Sequence, residues 1–313
     1  MWRLPVRLVC IGLLVLAGGC SDASSRQGTR SPSVAPSGAL VSGRADVGGY
    51  SLAYECMGSG SPTVILEAGY TASGIRTFGQ VILPALARKT HVCTYDRAGD
   101  GTSDPRPSSI RPLTGATQAQ ELSALLEAIH ITGSFVMVGH SYGGVISREF
   151  AATYAKQVVG MVLIDATSEP EIPVYDRLDA GPWIDGSVTP APNQTIDIHA
   201  TVRELEAAST LRAMPLVVIT AGILQDQWLK TVPLLEAQAQ TRLAALSSDS
   251  IHVVDKGVGH LIPSEDPAIV IAATQAVIDA ARSDQGLHTC PSIFDHDPAA
   301  RCIAPGGMAP QTT

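Results

Sequence analysis

From about residue 47 onward the chain alternates short apolar runs with stretches of helical spacing, and this alternation limits its folds more than any other feature. Tyr50 to Cys56 alternates apolar with polar residues, and Gly58-Ser59-Gly60-Ser61-Pro62 then marks a turn. Thr63 to Leu66, His91 to Tyr95, Phe135 to Val138, Val159 to Ile164, Leu216 to Ile219 and His252 to Val254 read as strands buried in a sheet. Helical spacing fills the intervals at Ile75 to Lys89, Gln118 to His130, Val145 to Tyr154, Trp228 to Leu246 and Pro267 to Ala281. The second of these lines up Leu122, Leu125, Leu126 and Ile129 on one face. Such alternation predicts an α/β fold, with a mostly parallel central sheet covered by helices on both faces. Sheets of this kind carry their sites at the carboxyl ends of the strands.

The 313 residues are 45% hydrophobic and 16% charged, enough for a substantial core. The net charge of −8 and the lack of a basic stripe exclude nucleic acid as a partner, because binding it requires clustered Lys and Arg. The beginning of the chain differs from the rest. Arg3 and Arg7 precede an apolar run from Leu8 to Ala17, which is short for a membrane span and fits a secretory signal over residues 1–19. The ending Leu16-Ala17-Gly18-Gly19-Cys20 resembles a bacterial lipobox, which implies a lipid on Cys20 and attachment to the cell membrane outside the cytoplasm. An ordinary secreted protein is the alternative. Residues 20–43, rich in Ser, Pro, Gly and Arg, read as a flexible tether.

Export gives the remaining cysteines meaning. Cys56, Cys93, Cys290 and Cys302 form an even set in an oxidising compartment, which favours two disulfides, although spacing alone does not select among three pairings. Cys290 and Cys302 would staple a polar extension over residues 286–313. Zinc is not expected, because neither a C-x-x-C pair nor clustered histidines are present. Residues 44–285 form the main domain. The segment 168–213, containing several prolines with Tyr175 and Trp183, is too long for one connection and reads as a cap over the strand ends.

The chemistry centres on Gly139-His140-Ser141-Tyr142-Gly143, a G-x-S-x-G motif with a strand before it and a helix after it. In that sharp turn a serine needs small neighbours, and the turn lifts its hydroxyl above the sheet. A serine nucleophile needs a base. His260, in the glycine-rich loop Gly257-Val258-Gly259-His260, comes after the serine in the chain and is the best candidate. His140 is expected to point away and pack, and His199 lies in the cap. Two aspartates compete to orient the base: Asp165 at a strand tip, which is preferred, and Asp226 beyond the next strand, which also suits a helix N-cap. The oxyanion donors are expected to be the amides of Tyr142 and of Tyr70, the latter in Glu67-Ala68-Gly69-Tyr70-Thr71.

Together these residues resemble the α/β-hydrolase superfamily from about Tyr50 to Ala281. Tyr95-Asp96-Arg97-Ala98-Gly99-Asp100-Gly101-Thr102-Ser103 is similar to the turn after its fourth strand, which implies that Asp96 and Arg97 buttress the site. Neighbouring second and fourth strands in that superfamily imply a Cys56–Cys93 disulfide. Its acid follows the sixth or the seventh strand, which keeps both aspartates in play. Glu67-Ala68-Gly69 departs from the His-Gly often found there. Relatives that open epoxides or remove halide carry aspartate at the elbow, so serine implies acyl transfer to water. The expected activity is hydrolysis of a small-molecule carboxylic ester, with no metal or organic cofactor implied. Perhydrolysis, carbon–carbon or amide cleavage by the same triad, and a non-catalytic binding module, are the alternatives.

Overall fold

Alternate residues of a strand point to opposite faces, so a strand buried on both sides must be apolar throughout, and the central runs of this chain meet that demand. The computed structural model describes residues 38–110, 113–172, 195–208, 211, 213–224, 233–283 and 285–307, all within one compact unit, Pro36–Thr313. Its strands are β1 (Val41–Asp46), β2 (Ser51–Met57), β3 (Thr63–Glu67), β4 (Val92–Tyr95), β5 (Phe135–His140), β6 (Val158–Ile164), β7 (Leu216–Ala221), β8 (Ser250–Asp255) and β9 (Ala300–Ile303). They form one sheet in the order β1-β2-β4-β3-β5-β6-β7-β8-β9. The six strands from β3 to β8 run parallel, while β1, β2 and β9 are antiparallel to their neighbours at the two edges.

The period of two separates the core into two layers. Val64, Val136, Val138, Val162, Val217 and Val253 face helices α1 (Gly74–Phe78), α2 (Ile82–Leu86), α7 (Ile262–Glu265) and α8 (Pro267–Ser283). Ile65, Met137, Met161, Leu163 and Val218 face α3 (Gly115–Ala128), α4 (Tyr142–Thr153) and α6 (Pro233–Ala244). Among the described residues no helix is long and apolar enough to cross a membrane.

Three expectations change. The stretch Ile75 to Lys89 is two short helices instead of one, because Pro84 has no N–H to donate and fits only in a first turn, so a new helix begins at Ile82. The tether expected over 20–43 stops sooner, since Val41 to Gly43 already pair with β2. The extension over 286–313 is not merely appended: α9 (Cys290–Phe294) packs on α8, and β9 completes the sheet beside β8.

Both disulfides are present. Cys290 joins Cys302, and Cys56 faces Cys93 directly in the β2–β4 register with Cα atoms 4.1 Å apart. The second bond closes a separation of 37 residues. Its removal in a Cys56→Ser, Cys93→Ser variant is therefore expected to cost about 2–4 kcal/mol of stability, read as a lower urea midpoint. An unchanged midpoint would show that this bond does not stabilise the fold.

Candidate active site

Ser141 sits where β5 ends and α4 begins, with φ 54° and ψ −124°, a conformation that costs a non-glycine residue about 1–3 kcal/mol. The surroundings enforce it. The Ser141 N–H donates to the Ile164 carbonyl at 3.0 Å, and its own carbonyl accepts from Thr167 at 3.2 Å. The flanking glycines are required by space: a Cβ on Gly143 would lie 2.2 Å from the Glu67 carbonyl oxygen, and one on Gly144 would lie 2.4 Å from Ala166 Cβ. The small residues of the motif thus let the helix pack against two neighbouring strand ends.

Asp165 stands at the end of β6 in a left-handed conformation (φ 42°), 8% exposed. Its N–H donates to Ile219, its Oδ1 accepts from the Ala221 N–H at 2.9 Å, and its Oδ2 lies 2.7 Å from His260 Nδ1. With the carboxylate accepting at Nδ1, the neutral ring keeps its proton there and Nε2 becomes the basic nitrogen. His260 itself is 44% exposed, so its ring can meet a solute. Asp226, the other candidate acid, lies outside the described residues, as do Cys20, Tyr175 and Trp183.

His140 does more than the packing expected of it. Its Nε2–H donates to the His260 carbonyl at 2.7 Å, and the two rings stand 4.8 Å apart between centroids. Burial, followed by the charge of His260, pushes the His140 imidazole down to about 3, so it stays neutral and holds the loop as a fixed donor. On the other side, Tyr70 and Tyr142 meet edge to face at 5.9 Å. Among the described residues their N–H groups donate to no backbone carbonyl outside the helices and strands.

A buried polar layer lies below. Arg97 Nη1 donates to Glu67 Oε1 at 2.8 Å and to the Ala68 carbonyl at 2.7 Å, while Nη2 donates to the Gly69 carbonyl. Glu67 Oε2 also accepts from the Tyr95 hydroxyl at 2.6 Å. Burial raises the Glu67 carboxyl above its ordinary range, and Arg97 and Tyr95 pull it back. Asp96 is structural: it accepts from Ser73 Oγ at 2.6 Å and from the Thr102 N–H at 3.1 Å, and the close approach of Gly101 leaves no space for a Cβ.

The described part of the segment 168–213, expected to be a cap, packs against this site. Its helix α5 (Ile198–Ala207) contributes Ile198 and Leu205 to an apolar cluster with Tyr142, Val145, Ile146 and Ile172. Thr201 and Glu204 accept from the N–H groups of Gly115 and Ala116 at the start of α3. Beneath α5, Glu149 is buried with one carboxyl oxygen lacking a hydrogen-bond partner. Burial, then the charge of Glu204, pushes its carboxyl up to about 7; Glu169 adds to the rise and Arg148 opposes it. A folded value above the unfolded one means that this stability is present below about pH 4.5 and is lost as pH rises through about 7. Glu149→Gln is expected to flatten that fall, read as thermal midpoints at about pH 5 and pH 8. A variant with the wild-type slope would contradict it.

Among the described residues, only Cys56, His91 and Cys93 bring metal-type ligand atoms together, and both sulfurs are joined in the disulfide.

Comparison with known proteins agrees with this architecture. The family model described as "Alpha/beta hydrolase family" matches residues 64–274, more than half of the chain. The chain belongs to the alpha/beta hydrolase family. The uncharacterized protein YqjL of Bacillus subtilis (strain 168) is 27% identical over 238 residues, which are 72% of this chain and 86% of that one. The cis-3-alkyl-4-alkyloxetan-2-one decarboxylase of Shewanella oneidensis is 28% identical over 44% of this chain and 42% of its own length. Among solved structures, a putative lipase from Acinetobacter baumannii AYE shares the fold with a TM-score of 0.59 at 17% identity, covering 79% of this chain and 93% of that one. As a member of this family, the chain is a hydrolase-type α/β protein whose expected substrates are small molecules.

Proposed function

We propose that the protein hydrolyses carboxylic esters through an acyl-enzyme formed on Ser141. His260 Nε2 takes the hydroxyl proton as Ser141 Oγ attacks the ester carbonyl. Asp165 holds the resulting imidazolium, and the N–H groups of Tyr70 and Tyr142 receive the oxyanion. His260 returns the proton to the leaving alcohol and then activates the water that releases the acid.

One observation carries the reading: the 2.7 Å bond between Asp165 Oδ2 and His260 Nδ1, made beside a serine held at φ 54°. Serine at the elbow favours acyl transfer over the displacement chemistry of aspartate relatives. The test is labelling of the full chain with a fluorophosphonate probe, followed by a panel of p-nitrophenyl esters of increasing acyl length. Labelling that is lost in His260→Ala is expected. An unlabelled parent chain would contradict the assignment.

The same proposal places the enzyme outside the cytoplasm, anchored by a lipid on Cys20. The basic start, the apolar run to Ala17 and the polar tether support this. Cys20→Ser is expected to release the protein from membranes, and unchanged attachment would contradict the anchor.

A further inference from the structure

We propose that Arg97 is a positioning residue that aims the Tyr70 N–H at the developing oxyanion; this rests on the hydrolase reading above. The Gly69 carbonyl and the Tyr70 N–H belong to one planar trans peptide, so they point in opposite directions. Fixing the carbonyl therefore fixes the donor. Arg97 Nη2 donates to that carbonyl, and Nη1 donates to the preceding one, Ala68, at 2.7 Å. In an extended strand successive carbonyls point to opposite sides, so two of them on a single guanidinium mark the place where the chain leaves β3 and turns toward the elbow. The Ala72 N–H also reaches the Gly69 carbonyl, at 3.2 Å, and Thr71 adopts φ 53° to close that turn. The turn is thus closed from one side by the backbone and anchored from the other by the cation.

Two further observations connect the clamp to catalysis. A Cβ built on Gly69 would lie 3.3 Å from Ser141 Cβ, so this peptide runs directly beside the nucleophile. The guanidinium is 3% exposed and is itself held by Glu67 at 2.8 Å, so its position is fixed in the absence of a ligand. A cation on the carbonyl oxygen also polarises the peptide and strengthens the N–H as a donor, an effect enlarged by low local dielectric. Glu67 and Arg97 in this way supply the order that a His-Gly pair would otherwise bring to the loop.

The experiment measures p-nitrophenyl butyrate hydrolysis and fluorophosphonate labelling by the full chain, alongside thermal unfolding. Arg97→Met is expected to lower kcat by about 10²-fold with KM within a few-fold, which is the loss of one oxyanion donor. Arg97→Lys, which keeps the charge but not the fork, is expected to recover part of that loss. Glu67 and Asp100, whose carboxylates lie 2.8 Å and 3.5 Å from the guanidinium, are both buried, and losing their partner is itself destabilising; Glu67→Gln combined with Arg97→Met removes the nearer of the two orphaned charges and keeps an acceptor for Tyr95. That double variant is expected to regain part of the thermal stability lost in Arg97→Met while kcat stays low. Recovery of wild-type kcat in the double variant, or a change in KM alone in Arg97→Met or Arg97→Lys, would overturn the proposal and leave the hydrolase reading intact. A wild-type chain that is neither labelled nor active on esters would overturn both.

Discussion

Asp165→Asn is expected to lower kcat by about 10⁴-fold without unfolding the protein. The size of the effect follows from how the carboxylate is held. Its Oδ1 accepts from the Ala221 N–H at 2.9 Å, so the amide oxygen of an asparagine would remain there and its NH₂ would turn toward His260. A donor facing Nδ1 forces the proton to Nε2, and the ring can no longer accept from Ser141. Asparagine tolerates the left-handed backbone at φ 42°, so the loss would reflect chemistry and not strain. Asp226→Asn is expected to leave the rate within a few-fold of wild type. Initial rates of both variants on one p-nitrophenyl ester separate the candidates. A collapse confined to Asp226→Asn would transfer the role to that residue.

Ser141→Ala is expected to abolish fluorophosphonate labelling and to lower kcat by about 10⁴–10⁶-fold. The residual rate would come from the oxyanion donors and from substrate binding, which do not depend on the hydroxyl. Members of such a unit are not additive, so Ser141→Ala combined with His260→Ala is expected to be no slower than Ser141→Ala alone. Two successive losses of full size would mean that serine and histidine act separately. Their rates on the same ester, measured at equal enzyme concentration, decide between these outcomes.

The parallel centre of the sheet was legible because strands buried on both faces must be apolar along their whole length, and Val136 to Val138 or Leu163 to Ile164 admit no other reading in this context. The edges were not. β1 is Val-Ser-Gly-Arg-Ala-Asp and mostly exposed, and β9 is a four-residue strand carrying Arg301 and Cys302, so neither shows an apolar run until a neighbour pairs with it. The elbow was legible because Gly139, Ser141 and Gly143 lie together in the chain. The choice between Asp165 and Asp226 was not, since both follow strands of the parallel sheet and the bond from Asp165 Oδ2 to His260 Nδ1 depends on the path of the His260 loop. The roles of His140 and Arg97 depend on contacts across 120 and about 28–30 residues of chain. One signal was present for the second: Glu67 closes an apolar strand, and a carboxylate buried there requires a partner.

The central claim is a covalent acyl-enzyme on Ser141, and trapping it is the most direct measurement. The full chain would be mixed with p-nitrophenyl acetate, quenched in acid within the first turnover, digested and examined by mass spectrometry. The expected result is one acetyl group on the peptide containing Ser141, absent from the Ser141→Ala chain. Ester turnover with that peptide unmodified, or with the acetyl group on another residue, would contradict the mechanism.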